Sequence, residues 1–443
     1  MRTNKKFFLT LILSLGIANT GFATPNIQYW QTKNGASVYF VESPELPMVD
    51  IQVVFDAGSA RDENKPGVSL MTNGMLAEGA GAFNANEIAE EFESVGANFG
   101  NDSQRDMSVF TLRTLSDKPL LDKATRMFAT VLSAPTFPEK AFQRERSRLL
   151  ISLQQNKQSP GTISSETFYE QVFKGHPYAS LPEGSIDSVE KLTIQDVRDF
   201  YVRYMNARNA TVAIVGALNR NQAEDLAEKI VGKLNPGRVA APLPEVEDLN
   251  AGSVKRIEFP SSQSHIMIGQ AGVTRKDPDY FALYLGNHIF GGSGLVSILS
   301  DEIREKRGLA YSSYSYFAPM RQKGPFVMGM QTQNDQVDEA LKVMNEVLND
   351  YVKNGPTEAQ LEAAKKNLTG GFALKVASNK SIVGYLGVIG FYKLPLNYLD
   401  TFIPKIQAIT RAQIQDAYQR RVKPDKLFTV VVGGAAASEK EKN

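Results

Sequence analysis

At 443 residues, with 42% hydrophobic and 22% charged side chains, the chain has the composition of a globular protein too long for one ordinary core, and two domains are expected. A net charge of +1, with no basic stripe interleaved with aromatics, counts against nucleic acid or an acidic surface as a partner. The complete lack of cysteine removes disulfides, thiolate zinc sites and thiol nucleophiles together.

The N-terminus reads as an export signal. Arg2, Lys5 and Lys6 precede a short apolar run, Phe7 to Ile17, and Gly21-Phe22-Ala23 offers small residues for cleavage, which places the mature start near Thr24. The apolar run is too short to span a bilayer, no later one is longer, and a soluble periplasmic protein is expected. Further on, Val49, Ile51, Val53 and Phe55 occupy alternate positions and predict a half-buried strand. A helix begins at Gly67 and reads G-V-S-L-M-T-N-G-M-L-A-E-G. Helical spacing predicts two longer helices at about 120–133 and 138–156.

Residues 186–216 then read as helix followed by strand, and the same pattern returns 217 residues later without a gap. Ile186, Thr193, Asp199, Tyr201, Arg203, Val215 and Gly216 meet identical residues at 403, 410, 416, 418, 420, 432 and 433. Seven identities exceed the roughly two that chance gives over such a length. Each copy also opens its helix with a capping-box pair, Thr193 with Asp196 and Thr410 with Gln413. The chain is therefore read as two homologous halves, 24–234 and 253–443, each with its own core. Residues 235–252, with Pro236, Gly237, Pro242 and Pro244, form a linker.

In the second half, 265–269 matches the first half's early strand. Phe290 to Gly294 is a glycine-rich run before a helix ending in Arg304-Glu305-Lys306-Arg307, which Gly308 stops. Tyr311 opens an alternating strand through Ser313, Ser315 and Phe317, and helices follow at 336–352 and 357–376. The fold class is α+β, antiparallel or mixed sheets with helices packed on one face.

The duplicated halves, the helix at Gly67 and the segment R-E-K-R-G-L-A-Y (304–311) together resemble the pitrilysin/insulinase zinc peptidases, in particular their mitochondrial-processing-peptidase-like members. The resemblance covers essentially the whole mature chain. Active members carry H-x-x-E-H on the first helix, two imidazoles on one helical face and a glutamate that activates water. Aligned on its flanks, this chain has Leu70 and Gly74 for the histidines and Asn73 for the glutamate. The downstream glutamate ligand falls on Ser152. Leucine and glycine have no side-chain lone pair, and an asparagine amide is too weak a base. The resemblance thus implies a chain with no zinc of its own. The histidines that remain, His176, His265 and His288, have no paired spacing, and no G-x-S-x-G elbow is present.

In the same family an arginine and a tyrosine spaced as Arg304 and Tyr311 are here contact the bound peptide across the closed chamber, and a glycine-rich loop like Gly291, Gly292 and Gly294 lies near incoming peptide. Guanidinium is a permanent planar donor, and a phenol can donate toward developing oxyanion charge. The expectation is a non-catalytic, substrate-binding subunit of a periplasmic heterodimeric zinc metalloendopeptidase. A homologous H-x-x-E-H subunit would bring the zinc and the base. The alternative is a scaffold or peptide-binding protein that kept the fold and lost peptidase work.

Overall fold

The repeat of 217 residues is visible in the backbone. The computed structural model describes residues 24–434, so the proposed export signal lies outside the described residues. The first half opens with strands β1 (Gln28–Gln31), β2 (Ser37–Glu42) and β3 (Met48–Phe55). Helix α1 (Val68–Met75), a small hairpin of β4 (Gly79–Ala80) and β5 (Phe83–Asn84), and α2 (Ala85–Glu93) follow. Next come β6 (Asn98–Ser103), β7 (Ser108–Leu115), α3 (Lys118–Ser133), α4 (Glu139–Asn156) and α5 (Pro160–Val172). The half closes with α6 (Ile186–Lys191), α7 (Ile194–Tyr204), β8 (Ala210–Gly216) and α8 (Arg220–Val231).

The second half runs β9 (Ser253–Ile257), β10 (Gln263–Ala271), α9 (Tyr280–Asn287) and a short α10 (Ile298–Ser300). Then follow β11 (Ser313–Phe317), β12 (Pro325–Gln333), α11 (Val337–Asn354), α12 (Glu358–Lys375) and α13 (Asn379–Phe391). Helices α14 (Tyr398–Ala408) and α15 (Arg411–Arg421) lead to β13 (Phe428–Val432).

The first sheet has the order β1-β2-β8-β3-β7-β6 and the second, written from its other end, β9-β13-β10-β12-β11. In each, one pair is parallel (β2 with β8, β9 with β13) and the other neighbours are antiparallel. Strand β11 is thus the counterpart of β6, and both are edges. Helices α7 and α15 stand 217 residues apart at both ends, and both carry the expected capping box, Thr193 with Asp196 and Thr410 with Gln413. A side-chain oxygen there satisfies a first-turn amide that has no helical partner.

Each half has a core of its own, as expected, the first half's built wholly from buried residues between 36 and 234, but the halves also exchange a helix. Helix α5 leaves the first half and packs on β10 and β13, while α13 leaves the second and packs on β2, β3 and β8. Phe168 and Val172 of α5 cluster with Met267, Phe428 and Val430, and Ile382 and Leu386 of α13 with Tyr39, Val41 and Ala213. The reason is geometric. Each sheet has its own helices on one face and an apolar second face, which the reciprocal helix covers.

The linker is irregular, as its prolines require, but it is pinned to both halves. The Ala241 carbonyl accepts from the buried Arg61 at 2.6 Å, and the Leu243 carbonyl accepts from Gln322 at 2.9 Å. Among the described residues no helix is long and apolar enough to cross a membrane.

Candidate functional site

Helix α1 is where the zinc ligands of the active relatives would stand, and here it is a packing element. It is launched by Asp62, whose carboxylate accepts the backbone N–H of Gly67 at 2.7 Å and of Ser69 at 3.0 Å. Burial pushes the Asp62 carboxyl up, to about 7, against the opposing pull of those donors. Gly67 adopts φ +97, the left-handed region that a Cβ disfavours, and turns the chain into the helix.

Asn73 is buried, and its amide is fully engaged. It donates to the Asp102 carbonyl at 3.0 Å and to Ser108 Oγ at 2.6 Å, and it accepts from Asn101 at 2.6 Å. The side chain at the position of the catalytic base therefore ties α1 to the β6–β7 hairpin. Leu70 is half-buried, Gly74 is exposed with open space where a Cβ would stand, and Ser152 is exposed on α4.

Glu78, just after α1, and Glu145, on α4, both face cations. Arg144 pairs with Glu78 and Glu145, and Arg148 reaches Glu145 at 2.8 Å. Among the described residues no three His, Cys, Asp or Glu side chains are arranged to hold a metal ion. These residues do not fit a zinc ion, which requires three protein donors around it. The histidines are spread out: His176 bonds the Pro244 carbonyl of the linker at 3.1 Å, His265 lies on β10, and His288 follows α9.

The other half-site is open. Arg304 sits in a π turn (Asp301–Glu305) that prolongs α10, closed by the Gly308 N–H bonding the Arg304 carbonyl at 3.0 Å and the Leu309 N–H bonding the Ile303 carbonyl at 2.9 Å. Gly308 takes φ +63, as a helix-stopping glycine does. The nearest carboxylate to the Arg304 guanidinium is the adjacent Glu305, a loose 3.6 Å contact, and the side chain is 38% exposed. Tyr311 is 84% exposed. It does not start the strand as expected: pairing with β12 begins at Ser313, and Tyr311 stands on the bend before it.

Arg304 and Tyr311 nevertheless line one cavity of about 250 Å³. Four glutamines, Gln263, Gln331, Gln333 and Gln336, share its wall, and no carboxylate does. A wall of neutral amides beside a free guanidinium and a free phenol can donate to and accept from a peptide backbone.

The glycine run departs from the loop expected. Gly291 and Gly292 belong to a π turn (His288–Gly292) that extends α9. A Cβ on Gly291 would fall 2.3 Å from Ser315 Oγ, and one on Gly292 would fall 2.8 Å from Asn287 Nδ2. Gly291 lets the turn lie against β11, and Gly292 lets it pass the Asn287 side chain at the end of α9. Gly294, at φ +65 and exposed, is the member free of such contacts.

Residues 37–181 match the model of the insulinase family, peptidase family M16, and residues 191–368 match that of the peptidase M16 inactive domain. The crystal structure of a peptidase M16 inactive domain from Pseudomonas fluorescens is 40% identical, covers 93% of this chain and 98% of its own, and superposes with a TM-score of 0.90. This chain belongs to peptidase family M16. Another relative, the non-peptidase homolog YmxG of Helicobacter pylori, is 24% identical over 97% of this chain and 98% of its own length. A crystallised protease from Helicobacter pylori, 19% identical with a TM-score of 0.84 over 93% of this chain and 100% of its own, shares the fold.

Within this M16 chain the sequence reading missed a second cavity of about 560 Å³ between α9 and α12. One signal could have found it: Gly370-Gly371 inside a helix, where glycine weakens the element unless something requires it.

Proposed function

We propose that this chain is the non-catalytic, substrate-binding subunit of a periplasmic heterodimeric zinc metalloendopeptidase acting on peptides or small unfolded proteins. The observation that carries this reading is the contrast between the two half-sites. Asn73 is consumed by internal hydrogen bonds, whereas Arg304 and Tyr311 face a shared amide-lined cavity with no strong partner of their own. Such donors are useful only to something that arrives. Held against a bound peptide, the guanidinium fixes a backbone carbonyl, and the phenol donates one further hydrogen bond. The partner is an M16 homologue with H-x-x-E-H, which brings the zinc and the base.

A second reading, a non-proteolytic scaffold or peptide-binding protein, draws support from the likeness to the non-peptidase homolog of Helicobacter pylori. One experiment separates the two. The purified chain, a zinc-bearing M16 homologue with H-x-x-E-H, and their mixture are each assayed for zinc content and hydrolysis of an unstructured peptide. Hydrolysis that rises well above the homologue alone only in the mixture supports the subunit reading. Peptide binding with no gain in hydrolysis supports the scaffold.

A further inference from the structure

The pseudo-repeat gives the cavity between α9 and α12 a meaning. Helices α9 and α12 are the second half's counterparts of α1 and α4, the pair that carries the zinc positions in active M16 chains. Gly371 and Ser152 even hold the same place, each the fourteenth residue of its 18-residue helix. In the first half the two helices meet in one buried apolar cluster, Met71 and Met75 of α1 with Phe142 and Leu153 of α4. In the second it encloses about 560 Å³, within the range of small-molecule pockets.

Two cations, Arg275 and Lys375, stand on its wall, and no aspartate or glutamate does. Arg275 Nε is buried without a hydrogen-bond partner among the described residues. Its guanidinium lies 4.8 Å from the Tyr280 ring centre. Lys375 donates to the Tyr284 hydroxyl at 3.2 Å. The carboxylates closest in sequence to Arg275 are engaged elsewhere, Asp277 with Arg421 at 3.2 Å and Asp279 with Arg420 at 2.6 Å. The stacked rings of Tyr280 and Tyr284, with Phe317, supply apolar surface between the cations.

Gly371 completes the picture. A Cβ there would meet nothing within 4 Å, so packing does not demand glycine, although glycine weakens a helix interior. What glycine does at this position is leave the cavity empty of side chain.

We propose that this cavity is a binding site for a carboxylate carried on an apolar or aromatic body, held between Arg275 and Lys375 and seated on the tyrosine rings. The carboxylate has two sources in a peptide, the free C-terminus or an acidic side chain next to an apolar residue. The site needs no partner subunit and no zinc, so its test is independent of the subunit reading above.

The test is calorimetric titration of the isolated chain with N-acetyl-Leu-Phe, with its C-terminal amide, and with amidated N-acetyl-Glu-Phe. The variants are Gly371→Leu, which fills the cavity while favouring the helix, and the double change Arg275→Met with Lys375→Met. Saturable one-to-one binding of the free acid is expected, weakened about 10- to 100-fold by amidation and by the double change, and lost in Gly371→Leu with the melting temperature preserved. If amidated N-acetyl-Glu-Phe binds and N-acetyl-Leu-Phe does not, the side chain is the source, and the carboxylate assignment stands. Equal affinity for free acid and its amide overturns the proposal. So does undiminished binding by a folded Gly371→Leu variant, or no binding of any probe. Should the double change unfold the chain, the Gly371→Leu comparison decides alone.

Discussion

Arg304 and Tyr311 differ from the charged residues around them in having no prior commitment. Lys306 pairs with Asp301 and Glu302, and Arg307 pairs with Glu302, while Arg304 has only a 3.6 Å contact with its neighbour. In the proposed heterodimer, Arg304→Ala and Tyr311→Phe should each lower turnover by roughly 100-fold or more, the loss seen when an oxyanion donor is removed. Co-purification of the two subunits should be unchanged, because neither side chain supports the fold. Steady-state kinetics on the complex checks this, and full activity in both variants would sink the assignment. At this scale the motif was readable because its residue types and spacing sit in one local segment. Asn73's three hydrogen bonds were not, since they depend on a hairpin folding back beside α1. Asp62 provides a second test. Its folded pKa, raised by burial to about 7, lies above the ordinary carboxylate value. The folded state therefore holds a proton that the unfolded state has released, so the associated stability is present in acid and is lost as the pH rises from about 4 through 7. Urea unfolding at pH 5 and pH 8 should show wild type losing stability toward pH 8, and Asp62→Asn should lose less of it. An equal loss in the variant refutes the assignment to Asp62.

Elements explain why the molecule has two halves but not two independent cores. Helix α13 is apolar around most of its circumference, burying Ile382, Val383, Leu386, Ile389 and Phe391, which is the mark of a helix enclosed on all sides. Where it crosses the first sheet it comes close enough that only glycine fits. A Cβ on Gly390 would lie 2.4 Å from Thr211 Cγ2 and 2.6 Å from the Tyr39 ring, and one on Gly387 would lie 2.4 Å from Gln52 Oε1. Gly390→Leu should therefore lift α13 from β2 and β8 and destabilise the chain by about 1–3 kcal/mol or more. The midpoint of urea unfolding measures it, and a variant as stable as wild type would mean that the contact is not tight. Strand position, helix length and the capping boxes were legible because each is written within a few residues, whereas the half-buried alternation expected at 49–55 fails because α13 packs on β3 and Asp50 and Val54 are buried as well. The exchange of α5 and α13 was not, because periodicity reports that a face is apolar and not which sheet receives it.

The whole molecule is joined at a buried polar node where that exchange converges. Asp106 of the first half is 4% exposed. It accepts the Tyr178 hydroxyl at 2.5 Å, the Tyr392 hydroxyl at the end of α13 at 3.0 Å, and the Arg321 backbone N–H at 2.7 Å. Burial, reinforced by the Asp106 charge, pushes both phenols well above their usual range, so they remain donors at any working pH. Beside them Arg321 reaches Asp56 at 3.3 Å, and Asp56 is also bound to Arg61 at 2.8 Å. Three donors thus converge on one carboxylate, two of them from the second half. Removing it leaves all three buried donors without their acceptor, which costs about 3–5 kcal/mol. Asp106→Ala should therefore weaken the two halves together, shifting one cooperative unfolding transition rather than splitting it. The complementary measurement is to express residues 24–234 alone. That fragment keeps α5, which has lost its sheet, and exposes the face of β2, β3 and β8 that α13 covers. It should bind a hydrophobic dye strongly and associate, and adding residues 235–434 should reverse both effects. A fragment that is monomeric, silent toward dye and as resistant to urea as the full chain would show that the exchanged helices are not what holds the halves in one fold.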